Sequence, residues 1–317
     1  MSPAPAPAFR SGFVTLVGRP NTGKSTLLNA LLGRRIAAVT PHPQTTRTHL
    51  LGILDVAADA ATGGGQIVLV DTPGVHRGRG PLSRQLLRSV RNGLEGRDLA
   101  LLLADVSRPF GAEDELALDL VAPARAGEAA LPPVFLVLNK VDLLRQQEDV
   151  LPVIARYQER FEFAEVVPIS ALRRKNLDAL ARLVLAALPP GPAYFEAGTA
   201  TDQPEHFLLS EIIREQAMLP TREEVPHTLA VRVEADERRS ARGGPIRHLQ
   251  AALYCERPGQ KAILIGQGGA MIRQIGIAAR ALIEQALGER VHLELHVLVR
   301  PGWRENERFV AGLDFRS

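Results

Sequence analysis

The chain has 317 residues, 45% of them hydrophobic and 23% charged, which supplies real cores and exceeds one average domain of roughly 100–200 residues. That balance excludes wholesale disorder, and the longest apolar runs, Leu99–Ala104 and Val134–Leu138, fall far short of the ~18–20 residues of a spanning helix. The formal net charge is only +3, and a single cysteine, Cys255, allows no internal disulfide, which fits a reducing cytosol.

Residues 1–10 open with alternating Pro and Ala and carry no apolar run, which reads as a short extended tail and not as a signal peptide. Residues 11–188 alternate short apolar runs with amphipathic stretches. The runs are Phe13–Val17, Ile67–Val70, Leu99–Ala104, Val134–Leu138 and Val166–Ile169, the pattern of buried parallel strands joined by crossover helices. Leu50–Val56, Gly63-Gly64-Gly65 and Ile67–Val70 read as a hairpin at one sheet edge. An α/β domain with a doubly wound, mostly parallel sheet is therefore expected. Leu188-Pro189-Pro190-Gly191-Pro192 stops its last helix, and residues 189–204 read as a linker. Residues 205–317 read as a smaller α+β domain. It has a helix at Glu205–Leu219, strands near Thr228–Glu234 and Leu249–Glu256, a helix around Met271–Leu287 and a closing strand Val291–Val299. The apolar pattern of Pro258–Ile265 by itself reads as a strand.

The strongest motif is Gly18-Arg19-Pro20-Asn21-Thr22-Gly23-Lys24-Ser25, a G-x-x-x-x-G-K-S loop between an apolar strand and a helical stretch, which is the context a P-loop requires. Its glycines let backbone N–H groups cradle phosphate oxygens at a helix N-terminus. Lys24 is placed to reach the β- and γ-phosphates, and the Ser25 hydroxyl to ligate Mg²⁺. Asp71-Thr72-Pro73-Gly74 follows the strand Ile67–Val70; Asp71 is expected behind the metal and the Gly74 N–H at the γ-phosphate. In the polar loop Gln44-Thr45-Thr46-Arg47, Thr46 is expected to complete the Mg²⁺ shell, the bland reading being strand-forming threonine. Lys24, Thr46, Asp71 and Gly74 are the candidate catalytic groups.

Base identity comes from Asn139-Lys140-Val141-Asp142, at the C-terminal end of an apolar strand, where open α/β sheets bind ligands. A carboxylate at Asp142 accepts from guanine N1–H and N2–H₂, whereas adenine would leave it desolvated and unpaired. Asn139 is expected to read guanine with it, and the backbone of Ser170-Ala171-Leu172 to brace the base. His42, His49 and His76 flank the same loops, but phosphoryl transfer needs little base chemistry, so none is assigned a role.

In the second domain, Arg238 to Arg280 holds eight basic residues against one acid, Glu256, and encloses a G-x-x-G loop, Gly266-Gln267-Gly268-Gly269. A solvated face and a helix-to-helix turn are the plain readings of these two features. Their coincidence points to a polyanion site, with Arg257, Lys261 and Arg273 beside the glycines as candidate RNA-binding residues. Cys255 reads as a small core residue and Trp303 as a packing anchor.

The order and spacing of these pieces resemble the translation-factor-like P-loop GTPases. With Thr201-Asp202-Gln203-Pro204-Glu205, Glu211-Ile212-Ile213-Arg214-Glu215 and the Ile265–Gly276 run, nearly the whole chain after Arg10 resembles the bacterial ribosome-assembly GTPases that end in a KH domain. That resemblance implies a type II KH fold, with Pro258–Ile265 as a short helix and a loop that clamps about four nucleotides. It implies GTP/GDP and Mg²⁺ as ligands, binding near the 3′ end of 16S ribosomal RNA on the 30S subunit, and GTP tightening that binding. It also implies a cytoplasmic protein, reported at the inner membrane surface, and acting as a monomer. Asn21 resembles the asparagine with which some GTPases bind K⁺. Where Ras-like GTPases carry a water-orienting Gln, this chain has Val75, so slow intrinsic hydrolysis is expected. Two alternatives remain at this level: a GTPase of transfer-RNA modification, which would need a reactive cysteine, and an RNA chaperone with a structural nucleotide site.

Overall fold

In this computed structural model, residues 8–42, 45–46, 49–58, 63–76, 81–121, 132–241, 244–311 and 313 are described. The chain forms two units, Met1–Ala37 with Pro43–Asp202, and Ala38–His42 with Gln203–Ser317. In the first, β1 (Arg10–Val17) leads through the phosphate-loop motif into α1 (Lys24–Leu32), and the hairpin of β2 (Leu50–Val56) and β3 (Gly65–Asp71) follows. Then come α2 (Pro81–Leu94), β4 (Leu99–Asp105), α3 (Ala112–Val121), β5 (Val134–Asn139), α4 (Leu151–Gln158), β6 (Glu165–Pro168) and α5 (Leu177–Ala187). The sheet order is β2-β3-β1-β4-β5-β6, and only the β2–β3 pair is antiparallel.

Every residue of β3, β4 and β5 is buried, so both faces of the sheet are covered, as continuous Leu/Val runs require. Each such side chain contributes about 1.5–3 kcal/mol by leaving water. The hairpin register sets Leu50 opposite Asp71, which brings the residues just before β2 alongside the end of β3. Residues 189–202, expected as a linker, belong to the first unit. Gln66 explains why: buried in β3, it donates to Phe195 O at 3.0 Å and to Asp55 Oδ1 at 2.9 Å, and accepts from Tyr194 N and Phe195 N, each at 2.9 Å. Ile53 N also donates to Ala200 O at 2.9 Å, and Thr201 Oγ1 to Leu51 O at 2.6 Å.

The second unit contains α6 (Glu205–Met218), α7 (Val225–Thr228), β7 (Ala230–Ala241), β8 (Gly244–Cys255), α8 (Pro258–Ile265), α9 (Ala270–Leu287), β9 (Val291–Val299) and α10 (Glu307–Ala311). Its sheet runs β7-β8-β9, antiparallel then parallel. One core gathers Ile212 and Ile213, Leu249 and Leu253, and Ile275, Ala279 and Ile283. A smaller cluster joins Ala252, Tyr254, Trp303 and Phe309, with Trp303 Nε1 donating to Thr228 O at 2.9 Å, so Trp303 is a packing anchor.

Three pattern-based expectations are corrected here. Pro258–Ile265 is the helix α8: Pro258 stands at its first turn, Gln260 Oε1 accepts from Glu256 N and Arg257 N, and only Gln260 and Leu264, four apart, are buried. β7 and β8 run well past the apolar pattern because their extensions are charged and held by ion pairs. Three of the eight basic residues of the block are offset by acids from outside it: Arg247 bonds Asp236, Glu205 and Glu289, while Arg238 meets Glu289 and Arg239 meets Glu237. Arg242 lies outside the described residues.

The Arg247 guanidinium, with smaller help from His206, holds the Asp236 carboxyl down from 3.8 to about 2. A depressed carboxylate contributes stability that is complete above its usual value and is lost as pH falls through the folded one. The unfolding midpoint of the wild-type chain is therefore expected to exceed that of Arg247→Met by a constant margin above about pH 4, shrinking between about pH 4 and 2. A calorimetric margin that stays level to pH 2 would remove the pair from that role.

Candidate functional site

Parallel pairing of β1 with β3 and β4 puts the phosphate-loop motif, the end of β3 and the end of β5 at one rim of the sheet. Gly23 adopts φ 95°, and a Cβ there would lie 2.3 Å from Asn139 Nδ2. A Cβ on Gly18 would lie 2.5 Å from Leu103 O. Both glycines are thus demanded by close approach. Lys24 is buried, with Nζ donating to Gly18 O and Arg19 O at 3.0 Å each. Burial lowers its pKa to about 8, against the upward pull of Asp71.

Asp71 is fully buried, which pushes its carboxyl up, while Ser25, Lys24 and Thr46 act the other way. Its Oδ2 accepts from Ser25 Oγ at 2.6 Å and from Thr46 Oγ1 at 3.3 Å, and the two hydroxyls are 2.9 Å apart. Its Oδ1 is buried with no hydrogen-bond partner among the described residues. An oxygen-only cluster around one orphaned carboxylate oxygen suits a hard divalent cation such as Mg²⁺, and Ser25 and Thr46 are the two residues predicted to ligate it. Gln44 and Arg47 lie outside the described residues.

Several predicted contacts take a different form. Asn139 makes three scaffold bonds: Nδ2 donates to Thr22 O at 2.8 Å, while Oδ1 accepts from Lys140 N at 2.8 Å and Ala171 N at 3.0 Å. It binds the phosphate loop to the Ser170-Ala171-Leu172 loop. Lys140 Nζ similarly reaches Asn21 O at 2.7 Å and Asp105 Oδ2 at 2.6 Å. Asp142 is exposed in the single turn Val141–Leu143, which follows Lys140 at φ 69°. Ser170 and Ala171 are buried and Leu172 is 73% exposed.

Thr72 Oγ1 donates to Leu16 O at 2.7 Å. Gly74, beside Pro73, packs so tightly on Pro20 that a Cβ would lie 2.7 Å from Pro20 Cα. Val75 donates its N–H to Gly18 O at 3.0 Å and buries its side chain completely, so it has no side-chain contact to offer a nucleotide. Arg19, named in sequence only as a member of the phosphate-loop motif, sends its guanidinium to Asp114. Asp114 carries no motif signal in the sequence. Asp105 has one that motif reasoning passes over, its place at the C-terminal end of a buried parallel strand.

In the second unit a groove of about 470 Å³ runs between the glycine loop, α9 and β9. Gly268, Gly269 and Arg273, expected at an RNA site, line it together with Arg280 of the basic block and with Ile272, Ile277 and His292, which the sequence reading did not select. Gly268 and Gly269 have φ 58° and 77° with open space at their Cβ positions, while a Cβ on Gly266 would lie 2.7 Å from Met271 Cβ. Arg257 and Gln267 are exposed and Lys261 half-buried near the loop. Apolar walls, a backbone-lined rim and two arginines together fit a single-stranded nucleic acid. Cys255 is buried, which pushes its thiol up and removes the reactive cysteine that a transfer-RNA-modifying activity would need.

Residues 13–140 match the family described as 50S ribosome-binding GTPase, and residues 224–304 match the KH domain family. The chain is 43% identical to GTPase Era of Geobacter metallireducens over 307 residues, covering 97% of this chain and 98% of the relative. It is 41% identical to GTPase Era of Mycobacterium leprae, covering 97% and 99%. Among solved structures, Era in complex with MgGDPNP and nucleotides 1506–1542 of 16S ribosomal RNA superimposes with a TM-score of 0.86 at 35% identity, over 97% of this chain and 99% of that one. A single-residue variant of Aquifex aeolicus Era bound to GDP.AlF4⁻ matches equally well.

Proposed function

This chain belongs to the Era family of GTPases, and from that membership we propose a GTP-hydrolysing switch that binds 16S ribosomal RNA near its 3′ end and assists assembly of the 30S subunit. The cluster of Ser25, Thr46 and Asp71, with its orphaned Asp71 oxygen, carries the nucleotide half. Mg²⁺ held by the Ser25 and Thr46 hydroxyls supplies charge neutralisation at the β- and γ-phosphates. Lys24 leaves its two carbonyl partners for the phosphates, the Gly74 N–H reports the γ-phosphate, and Asp142 selects guanine. RNA binding and nucleotide state then influence each other reciprocally.

The RNA half rests on the groove beside Gly268. We expect Gly268→Asp, which sets a carboxylate where phosphates approach, to weaken binding of a 16S 3′-end RNA about tenfold or more, the size of a 1.4 kcal/mol penalty. Crosslinking in extract with a non-hydrolysable GTP analogue tests it: reads should gather at that end, fall in the variant and weaken with GDP. Diffuse or unchanged crosslinks would make the second unit a protein-docking module. K⁺ beside Asn21 belongs to the same reading, and equal hydrolysis rates in K⁺ and Na⁺ would end it. So do action as a monomer and a cytoplasmic location with peripheral contact at the inner membrane, which sedimentation and fractionation test.

A further inference from the structure

Arg19 lies inside the phosphate loop, yet its guanidinium leaves it. Nη1 donates to Asp114 Oδ2 at 2.8 Å and to Pro109 O at 3.1 Å. Asp114 is 2% exposed in the first turn of α3. Its Oδ2 also accepts from Gly111 N at 3.0 Å, and its Oδ1 accepts from the Tyr157 hydroxyl at 2.8 Å. Tyr157, from the last turn of α4, is itself buried and held edge-on by Phe110 with ring centroids 4.9 Å apart.

A buried ion pair is weak support for stability in itself, because drying both charges consumes most of their attraction. What this one fixes is the direction of the residue that bears it. The Arg19 carbonyl accepts from Lys24 Nζ at 3.0 Å and from Thr22 Oγ1 at 3.1 Å, so the backbone of the same residue forms the wall on which the phosphate-binding lysine leans. The outward side chain and the inward carbonyl are two ends of one lever, and Asp114 holds the outer end.

We propose that Asp114 is a positioning residue for nucleotide binding: by anchoring the Arg19 side chain outward, it holds loop 18–25 in the shape that receives phosphates, and Tyr157 holds Asp114 in turn. The inference rests on the guanine-nucleotide reading above and deepens it. The loop cradles phosphates common to GTP and GDP, so the effect falls on affinity for both. The γ-phosphate machinery of Thr46 and Gly74 is left in place, so kcat changes little.

The test uses the full chain with GTP and GDP as probes, measuring dissociation constants, kcat, KM and the unfolding midpoint. Asp114→Asn is expected to weaken GTP and GDP alike, about tenfold, as a misplaced loop would, and to raise KM with kcat nearly constant. Tyr157→Phe is expected to act in the same direction and less, about fivefold. In Arg19→Met/Asp114→Leu, made in a Tyr157→Phe background so that no hydroxyl is left buried without its acceptor, the pair becomes apolar, so the unfolding midpoint should return while affinity stays low. This combined variant also decides the matter if Asp114→Asn does not fold. Wild-type affinity in Asp114→Asn, or recovery of both stability and affinity in the combined variant, would reduce the pair to packing and overturn the proposal. A wild-type chain that holds no guanine nucleotide would overturn the underlying reading instead, and shows before any variant is made.

Discussion

Asp142→Asn is expected to turn the chain from guanosine to xanthosine nucleotides, with GTP affinity falling by about three orders of magnitude or more. The carboxylate is an acceptor only, matched to the two donors on the guanine edge, and an asparagine amide presents a donor where the second acceptor stood. Xanthine carries an oxygen in place of that exocyclic amine, so the swapped donor regains a partner. The scaffold around the position stays intact, because Asn139 and Lys140, not Asp142, bind this turn to Thr22 O and Asn21 O. Competition between GTP and XTP measured on the same preparation decides the point. Full GTP selectivity in the variant would strip Asp142 of its role.

The second large effect is expected at Gly74. A methyl group there would lie 2.7 Å from Pro20 Cα and 2.9 Å from Pro20 N, both backbone atoms that cannot swing aside. The segment from Pro73 to His76 must then move off the phosphate loop, carrying its N–H away from the γ-phosphate. Loss of one aimed backbone donor costs about 10²–10³ in the hydrolysis rate. GDP lacks the γ-phosphate, so Gly74→Ala is expected to bind it nearly normally. Single-turnover hydrolysis beside GDP titration separates the two ligands, and a rate close to wild type would show that the loop tolerates the methyl.

The catalytic rim is legible because its chemistry leaves little freedom in sequence. A phosphate cradle needs glycines at fixed intervals, a lysine and a hydroxyl behind a buried strand, and the runs at Phe13–Val17, Ile67–Val70 and Val134–Leu138 fall inside β1, β3 and β5. Legibility fails where the signal is tertiary. The tie that Asn139 makes between two loops has no local signal, since its partners, Thr22 and Ala171, lie 117 and 32 residues away. Arg247 reads as part of the basic block at Arg238–Arg280 because Glu205 and Glu289, which meet it, lie outside the window. α8 reads as a strand because its solvent-facing positions, Ala262 and Ile263, are apolar too, and only the cap by Gln260 betrays the period. Asp114 has no local signal at all, since its meaning comes from a tyrosine and an arginine on other elements.

The strap formed by residues 194–201 has a further consequence. β2 is the outermost strand of the first sheet, and an outermost strand exposes a row of N–H and C=O groups on which a second copy can template itself. Here Ala200 O and the Thr201 hydroxyl take up Ile53 N and Leu51 O on that row. Cutting the chain at Leu188 to isolate the nucleotide-binding unit would therefore bare the sheet's open margin and leave Gln66 Oε1 buried without its two donors, Tyr194 N and Phe195 N. Cutting after Asp202 would leave the margin sealed, so the fragment that ends at the apparent end of the fold is the one prone to self-association.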